Sequence, residues 1–350
     1  MSKFTKIKFS GWAVLLLLCA LPLGLSAQTA PGWVNSLEKT FPSREWVAVT
    51  AQGSSQAQAE SAAMDALARA FKTDVAGITR SSQQFSQILS GAQANNSAVF
   101  NESKNFSQEV NVSVNVHGLI GVQVEVFSDG KRTVYVNARM NRKECAARYS
   151  GMVKENAAVI EELLASAVRR PGTIEAYAKL SFAHALAQVT DNFQNILEVL
   201  DSSAANRRPK YGGADAIKVK MLDCAALITI GVEVNAEQTA DKTLLTRAVG
   251  SFFKDRGFKI NEGGRGSYLL RANARFETLS QNVISCRYYL DASLENRNGH
   301  SLFSFTDDGR KAHPNNQSEA KRLAVLEAET SIKEGKFAQE FDLWLNSFSD

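Results

Sequence analysis

The chain has 350 residues, 44% hydrophobic and 22% charged, with 40 basic against 36 acidic side chains. Residues 1–27 hold three Lys and no acid, so the remainder is nearly neutral, with 37 basic and 36 acidic groups. That balance excludes the basic footprint of a nucleic-acid-binding protein. Four Cys without a C-x-x-C pair exclude a zinc-type framework.

The N-terminus reads as a secretory signal peptide over residues 1–27. Lys3, Lys6 and Lys8 precede an apolar stretch over 13–25, and Leu25-Ser26-Ala27 offers a small residue at the cut. The apolar stretch is shorter than the roughly 20 residues that span a bilayer. No later stretch reaches that length, so no transmembrane segment is expected in the mature chain. Cys19 follows Leu18 and sits inside the apolar run. It is expected to leave with the signal rather than be lipidated.

Residues 46–51 read as a short strand closed by Gly53. Ser55 and Gln58 form a capping-box pair, after which Met64, Leu67, Phe71, Val75 and Ile78 mark one helical face. Residues 80–108 are polar. Val110, Val112, Val114 and Val116 then alternate with polar residues, Val122, Val124 and Val126 repeat the pattern, and Ser128-Asp129-Gly130 turns the chain into a strand over 133–140. Residues 31–149 are thus expected to form a strand–helix–antiparallel-meander domain.

Residues 150–209 read as a helical hairpin and linker. Val153, Ile160, Leu164 and Val168 mark its first helix, Pro171-Gly172 breaks it, and a second helix runs over about 173–202. Two such helices cannot bury both apolar faces alone and must pack on a domain or a partner. Residues 206–214 read as linker.

Residues 210–350 are expected to form an α/β domain with an antiparallel sheet. The reading has strand material over 217–234, a helix over 241–256 capped by Asp241 and closed by Gly257, and a strand from Phe258. Paired strands follow over 268–276 and 286–294, then a turn at 296–299 and a strand over 301–305. A closing helix carries Phe337, Phe341, Trp344, Leu345 and Phe348 on a core-facing stripe. The fold class is α+β.

The chemistry-bearing candidates are few. HExxH, GxSxG, GxxxxGK and GxGxxG are absent from the sequence. His117, His184, His300 and His313 are scattered, and no metal or cofactor site is expected from them. Residues 262–266, Glu-Gly-Gly-Arg-Gly, read as a flexible connection before they read as an anion cradle. Asp307-Asp308-Gly309 reads as a turn rather than a calcium loop, and Glu161-Glu162 as a solvated face. Cys224 and Cys286 form a disulfide pair only if strands bring them together, and Cys145 is left over. Sequons begin at Asn95, Asn101, Asn105, Asn111 and Asn316 and matter only in a eukaryotic secretory pathway. No catalytic residue is assigned.

Trp46-Val47-Ala48-Val49-Thr50, Gly53-Ser54, Ala59, Ala63 and Leu67 resemble the LPP-twenty lipoprotein family of bacterial cell envelopes. The resemblance continues in Tyr135-Val136-Asn137-Ala138-Arg139 and in the Pro31-Gly32-Trp33-Val34 lead-in. Residues 256–258 and the elements around them are similar to the amino-terminal TolB domain and to curli-secretion and flagellar-assembly T-type domains. The resemblance implies a non-enzymatic protein of the periplasm or outer-membrane periphery of a Gram-negative bacterium. Function is then expected through surfaces that bind another envelope protein, the chain itself, or glycan. A secreted ligand binder or enzyme with a dispersed site is the alternative. A eukaryotic secreted glycoprotein is the third reading, which glycans at the sequons would reveal.

Overall fold

The computed structural model describes residues 29–71, 119–130, 132–206, 208–280 and 284–348. The segment read as a signal, the strand expected over 110–117, Val75, Ile78, His117 and four of the five sequons lie outside these residues.

Two short helices, α1 (Gly32–Asn35) and α2 (Leu37–Thr40), lead into strand β1 (Trp46–Gly53). Helix α3 (Gln56–Ala70) follows. Ser55 caps it by accepting the Gln58 N–H, while the Gln58 side chain takes the N–H and hydroxyl of Ser54. Met64, Leu67 and Phe71 of the expected face are buried, with Ala59 and Ala63 beside them. Strands β2 (Gln123–Ser128) and β3 (Val134–Asn141) form the hairpin, and β1 pairs antiparallel with β3 to give the order β1–β3–β2. Val136, Ala138 and Met140 of β3 face α3. Val124 and Val126 sit in the same phase on edge strand β2 but are exposed, beyond the reach of α3.

Helix α4 (Arg142–Arg169) starts directly after β3, capped by Asn141, eleven residues before the first apolar marker read from sequence. Val168 is 77% exposed, which corrects its placement on the apolar face. Helix α5 (Ile174–Leu200) follows the Pro171-Gly172 break, with Thr173 accepting the Ala176 N–H. Its 27 residues span about 40 Å. Ile174, Tyr177 and Leu180 belong to the C-terminal core, whereas residues from Phe182 to Leu200 belong to the N-terminal core. The requirement that the hairpin pack on something is thus met twice within the chain.

The linker read over 206–214 is tied down. After helix α6 (Ser202–Ala205), Tyr211 is buried and the Asp191 carboxylate accepts the Ala214 N–H at 2.8 Å. Residues 217–225 form helix α7 (Ala214–Ala225), not strand. Its core contacts are Ala214, Ile217, Cys224 and Ala225, a helical spacing.

Strand β4 (Thr229–Ala236) leads to helix α8 (Thr239–Asp255). Asp241 lies in the first turn of α8 rather than capping it, and pairs with Lys321 at 2.9 Å. Gly257, with φ +88°, closes the helix as expected. Strands β5 (Lys259–Asn261), β6 (Tyr268–Ser280), β7 (Ile284–Asn296) and β8 (Ser301–His313) complete a sheet of order β5–β4–β6–β7–β8. The β6–β7–β8 part is antiparallel, while β4 runs parallel to both β5 and β6. Helices α9 (Gln317–Lys333) and α10 (Lys336–Asn346) close the chain.

Because β5 and β6 flank β4, residues 262–267 must step over it. Glycines make the crossing fit. A Cβ on Gly231 would lie 2.7 Å from the carbonyl carbon of Gly264, and one on Gly266 would lie 2.5 Å from the Thr229 oxygen. The Glu-Gly-Gly-Arg-Gly run is therefore a packed crossover held by the Ser267 N–H on the Thr229 carbonyl at 2.7 Å. The Glu233 carboxylate lies against Gly264, which disfavours an anion there.

Helices α8, α9 and α10 cover one face of the large sheet. Phe252, Phe253, Phe303, Phe305, Phe337 and Phe341 meet there mostly edge to face, with centroids such as Phe252–Phe341 at 5.4 Å and Phe305–Phe337 at 5.1 Å, while Phe337 and Phe341 stack at 6.2 Å.

Candidate interaction surface

Strand alternation sends every second residue of β6, β7 and β8 away from the helices. Apart from Leu269, Leu279 and Ala312, these residues are polar. Register places Arg271 opposite Glu233 and Ser293, Asn273 opposite Asn235 and Asp291, Arg275 opposite Tyr289, and Arg287 opposite Glu277 and Arg310. Arg271 bridges Glu233 and Glu295, and those two carboxylates hold its guanidinium above its ordinary value. Arg287 pairs with Asp308 and lies over the Tyr289 ring at 5.0 Å, while Arg275 lies over the same ring at 5.3 Å. Tyr289 donates to Glu277 at 3.3 Å. The result is a hydrogen-bonded, mixed-charge face. Among the described residues, the crossover at β4 is what lies over it. One edge is the three-residue β5, and the other is the thirteen-residue β8.

Strand β8 runs through Asp307-Asp308-Gly309, which corrects the turn read there. Asp307 faces the helices and is buried. It accepts from Ser331 at 2.6 Å, Tyr288 at 3.0 Å and Lys336 at 3.3 Å. Burial pushes its carboxyl up, but these hydrogen bonds outweigh burial and hold it below its ordinary value. Burial, with the neighbouring carboxylate, raises the Tyr288 phenol. Gly309 is needed because a Cβ there would meet the Tyr288 ring at 2.5 Å. These groups anchor β8 to α9 and α10, two partners far along the chain.

The residues that carry the family resemblance converge at the small sheet. On the face away from α3, Trp33 donates to Glu125 at 2.8 Å, and Arg139 bonds Glu125 at 2.9 Å and Asn137 at 2.8 Å. Arg139 also stacks on Phe41 at 4.4 Å and approaches Trp46 at 5.9 Å. The lead-in is thus a lid that gives this sheet its second covered face.

A polar cleft of about 200 Å³ opens at the α4–α5 elbow between Ser166, Arg169, Arg170, Glu175 and Lys179. Lys179 is buried, donates to Ser166 at 2.9 Å and sits 3.5 Å from Glu175. Three cations face one acid, a feature absent from the sequence reading because it forms across a helix break.

The remaining sequence candidates stay apart. Cys145, Cys224 and Cys286 are free and buried, and burial raises each thiol. Cys224 lies on a helix rather than on a strand beside Cys286. His184 is half-buried on α5, with its imidazole lowered by burial and Lys218. His313 accepts the Asn315 N–H at 3.4 Å. Among the described residues no three His, Cys, Asp or Glu side chains converge to hold a metal, and no helix is long and apolar enough to cross a membrane. Glu161 and Glu162 are exposed, and Asn316 caps α9.

No family model and no curated protein matches the chain. Among solved structures it is similar to the secreted protein HP1454 from Helicobacter pylori, at 11% identity over 82% of this chain and 97% of that one, with a TM-score of 0.36. It is similar to a minor lipoprotein from Acinetobacter baumannii at 17% identity, over 34% of this chain and 92% of that one, with a TM-score of 0.24. It is also similar to the lipoprotein GNA1162 from Neisseria meningitidis at 14% identity, over 30% of this chain and 96% of that one, with a TM-score of 0.23. At these identities and TM-scores the likenesses assign neither a family nor a function.

Proposed function

We propose that the protein is a non-enzymatic component of the Gram-negative cell envelope. It is exported to the periplasm or the outer-membrane periphery and acts in envelope assembly by binding protein through the open face and β8 edge of its large sheet. The observation that carries this reading is a sheet covered by helices on one side, with a mixed-charge opposite face and a thirteen-residue edge strand. Such a surface suits polar protein contact, and long edges are templates for strand addition. The signal-like N-terminus and the residues resembling LPP-twenty proteins support the compartment. In-cell crosslinking of the tagged chain, followed by purification from the envelope fraction and mass spectrometry, tests it. A reproducible envelope partner or self-oligomer is expected. A chain that fractionates with the cytoplasm, or crosslinks to nothing, overturns it.

The cationic elbow cleft favours a second reading, a binder of a small anion. Calorimetric titration with inorganic phosphate would then show saturable binding that Lys179→Met abolishes.

A further inference from the structure

The outer edge of β8 is long, and among the described residues no strand pairs with it. Natural proteins block such edges. Here the block is slight: Lys336 Nζ bonds the Thr306 carbonyl at 3.2 Å while also reaching Asp307.

That contact also fixes the phase of the edge. In an antiparallel strand, successive residues direct their N–H and C=O groups to opposite sides. A Thr306 carbonyl met from outside the sheet means that Thr306, Asp308 and Arg310 offer their backbone groups outward. Asp307, Gly309 and Lys311 then bond β7.

The charge order along this edge is Asp307-Asp308-Gly309-Arg310-Lys311, antisymmetric about Gly309. Consider the same strand laid antiparallel against a copy of itself. With the two-fold axis at Gly309, each Asp308 stands opposite the other copy's Arg310, and each Asp307 opposite the other copy's Lys311. A slip of one residue in the axis position puts Asp308 opposite Asp308, or Arg310 opposite Arg310. Opposite charges directly across a pair stabilise it and like charges oppose it. The edge therefore selects one register. Gly309 falls at the centre of the closest-approach pair, where it brings no side chain. Asp308 and Arg310 are both exposed. Within its own chain Asp308 pairs with Arg287, Lys311 pairs with Glu327 at 2.9 Å, and Arg310 donates to the Ser285 hydroxyl at 2.8 Å rather than to a carboxylate. Pairing would therefore share or exchange the partners of Asp308 and Lys311.

We propose that β8 is a self-complementary edge through which two copies of the chain pair antiparallel about Gly309, joining their five-stranded sheets into one of ten strands. The interface is isologous, as a closed two-fold requires. Lys336 is the group displaced from the Thr306 carbonyl on pairing. This rests on the interaction reading above and names a second copy as the occupant of the edge.

Sedimentation velocity on the purified signal-free chain tests it. Wild type should dimerise, and Asp308→Arg and Arg310→Asp should each weaken dimerisation at least about tenfold, since each reversal sets two like-charge pairs across the axis. Mixing the two variants is the decisive arm. The Asp308→Arg chain carries two cations flanking Gly309 and the Arg310→Asp chain carries two anions there. A heterodimer of near-wild-type affinity should therefore form from two monomeric components. Recovery on mixing also shows that both variants are folded. A wild-type chain that stays monomeric at high micromolar concentration, a dimer indifferent to either reversal, or a mixture that stays monomeric overturns the pairing. An envelope partner captured in cells alongside a monomeric chain would sink the self-pairing and leave the envelope reading standing.

Discussion

The Ser331 hydroxyl donates to the Asp307 carboxylate at 2.6 Å, joining α9 to the centre of edge strand β8. With Tyr288 and Lys336 it keeps that carboxyl below its ordinary value despite burial. The folded chain therefore binds this proton at lower pH than the unfolded chain. The stabilisation is complete above the ordinary carboxylate range and is lost as pH falls through the depressed value. Asp307→Asn should cost about 1.5–3 kcal/mol near neutrality, the range for hydrogen bonds to a charged group. The melting temperature of the variant should also fall less steeply on acidification than that of wild type. Parallel pH series of thermal melts check both, and identical slopes would remove Asp307 from the acid limb.

The crossover at β4 gives a second expectation. Gly231→Ala forces its new methyl into the Gly264 backbone, which cannot swing away as a side chain would. Overpacking of this kind costs about 1–3 kcal/mol. Gly299→Ala has no atom within 4 Å of its new Cβ but sits at φ +77°, so its cost is one of backbone conformation alone. Urea denaturation of the two variants separates the causes: Gly231→Ala should shift the midpoint more.

The lid over the small sheet is held by one hydrogen bond to a charged acceptor. Trp33→Phe keeps the aromatic bulk and removes the donor to Glu125. A loss of about 1–3 kcal/mol is expected. Glu125→Gln retains an acceptor for Trp33 but removes the charge facing Arg139, so it should cost at least as much. Denaturant melts followed by circular dichroism would show both. No change in either variant would mean that the lid is held by ring packing on Phe41 and Trp46 alone.

The aromatic cluster gives the largest expected effect. Phe341 is fully buried against Phe252, Phe253, Phe303 and Trp344. Phe341→Ala should cost about 3–5 kcal/mol, whereas Phe341→Leu should cost clearly less. Trp344 touches the cluster from its half-exposed rim, so its fluorescence should report the loosening directly.

Much of this fold is written in short-range pattern. The capping pair at Ser55, the Pro171-Gly172 break and Gly257 all follow from residues within one or two turns of each other, and the β6–β7 pairing joins strands adjacent in sequence. Helix α7 escapes such a reading because Ile217-Lys218-Val219-Lys220-Met221 alternates as a strand does, while its burial follows Ile217, Cys224 and Ala225. The strand expected over 301–305 stops short of the true β8 because Asp307-Asp308-Gly309 carries turn chemistry. Its acid is satisfied by Ser331 and Lys336, partners 24 and 29 residues away. Helix α9 carries a readable signal in Asn316 and Glu319, whose side-chain oxygen and N–H meet at 3.1 Å. The interaction surface is the least legible part, since a polar alternate face looks the same in sequence whether or not another layer covers it.

Helix α5 changes cores at Ser181, between Leu180 in one and Phe182 in the other. A continuous helix transmits the melting of either end to the other, because fraying through its middle breaks hydrogen bonds on both sides. The two lobes are therefore expected to melt in a single cooperative transition despite their separate sheets. A proline at Ser181 would sever that linkage and let each lobe melt at its own temperature.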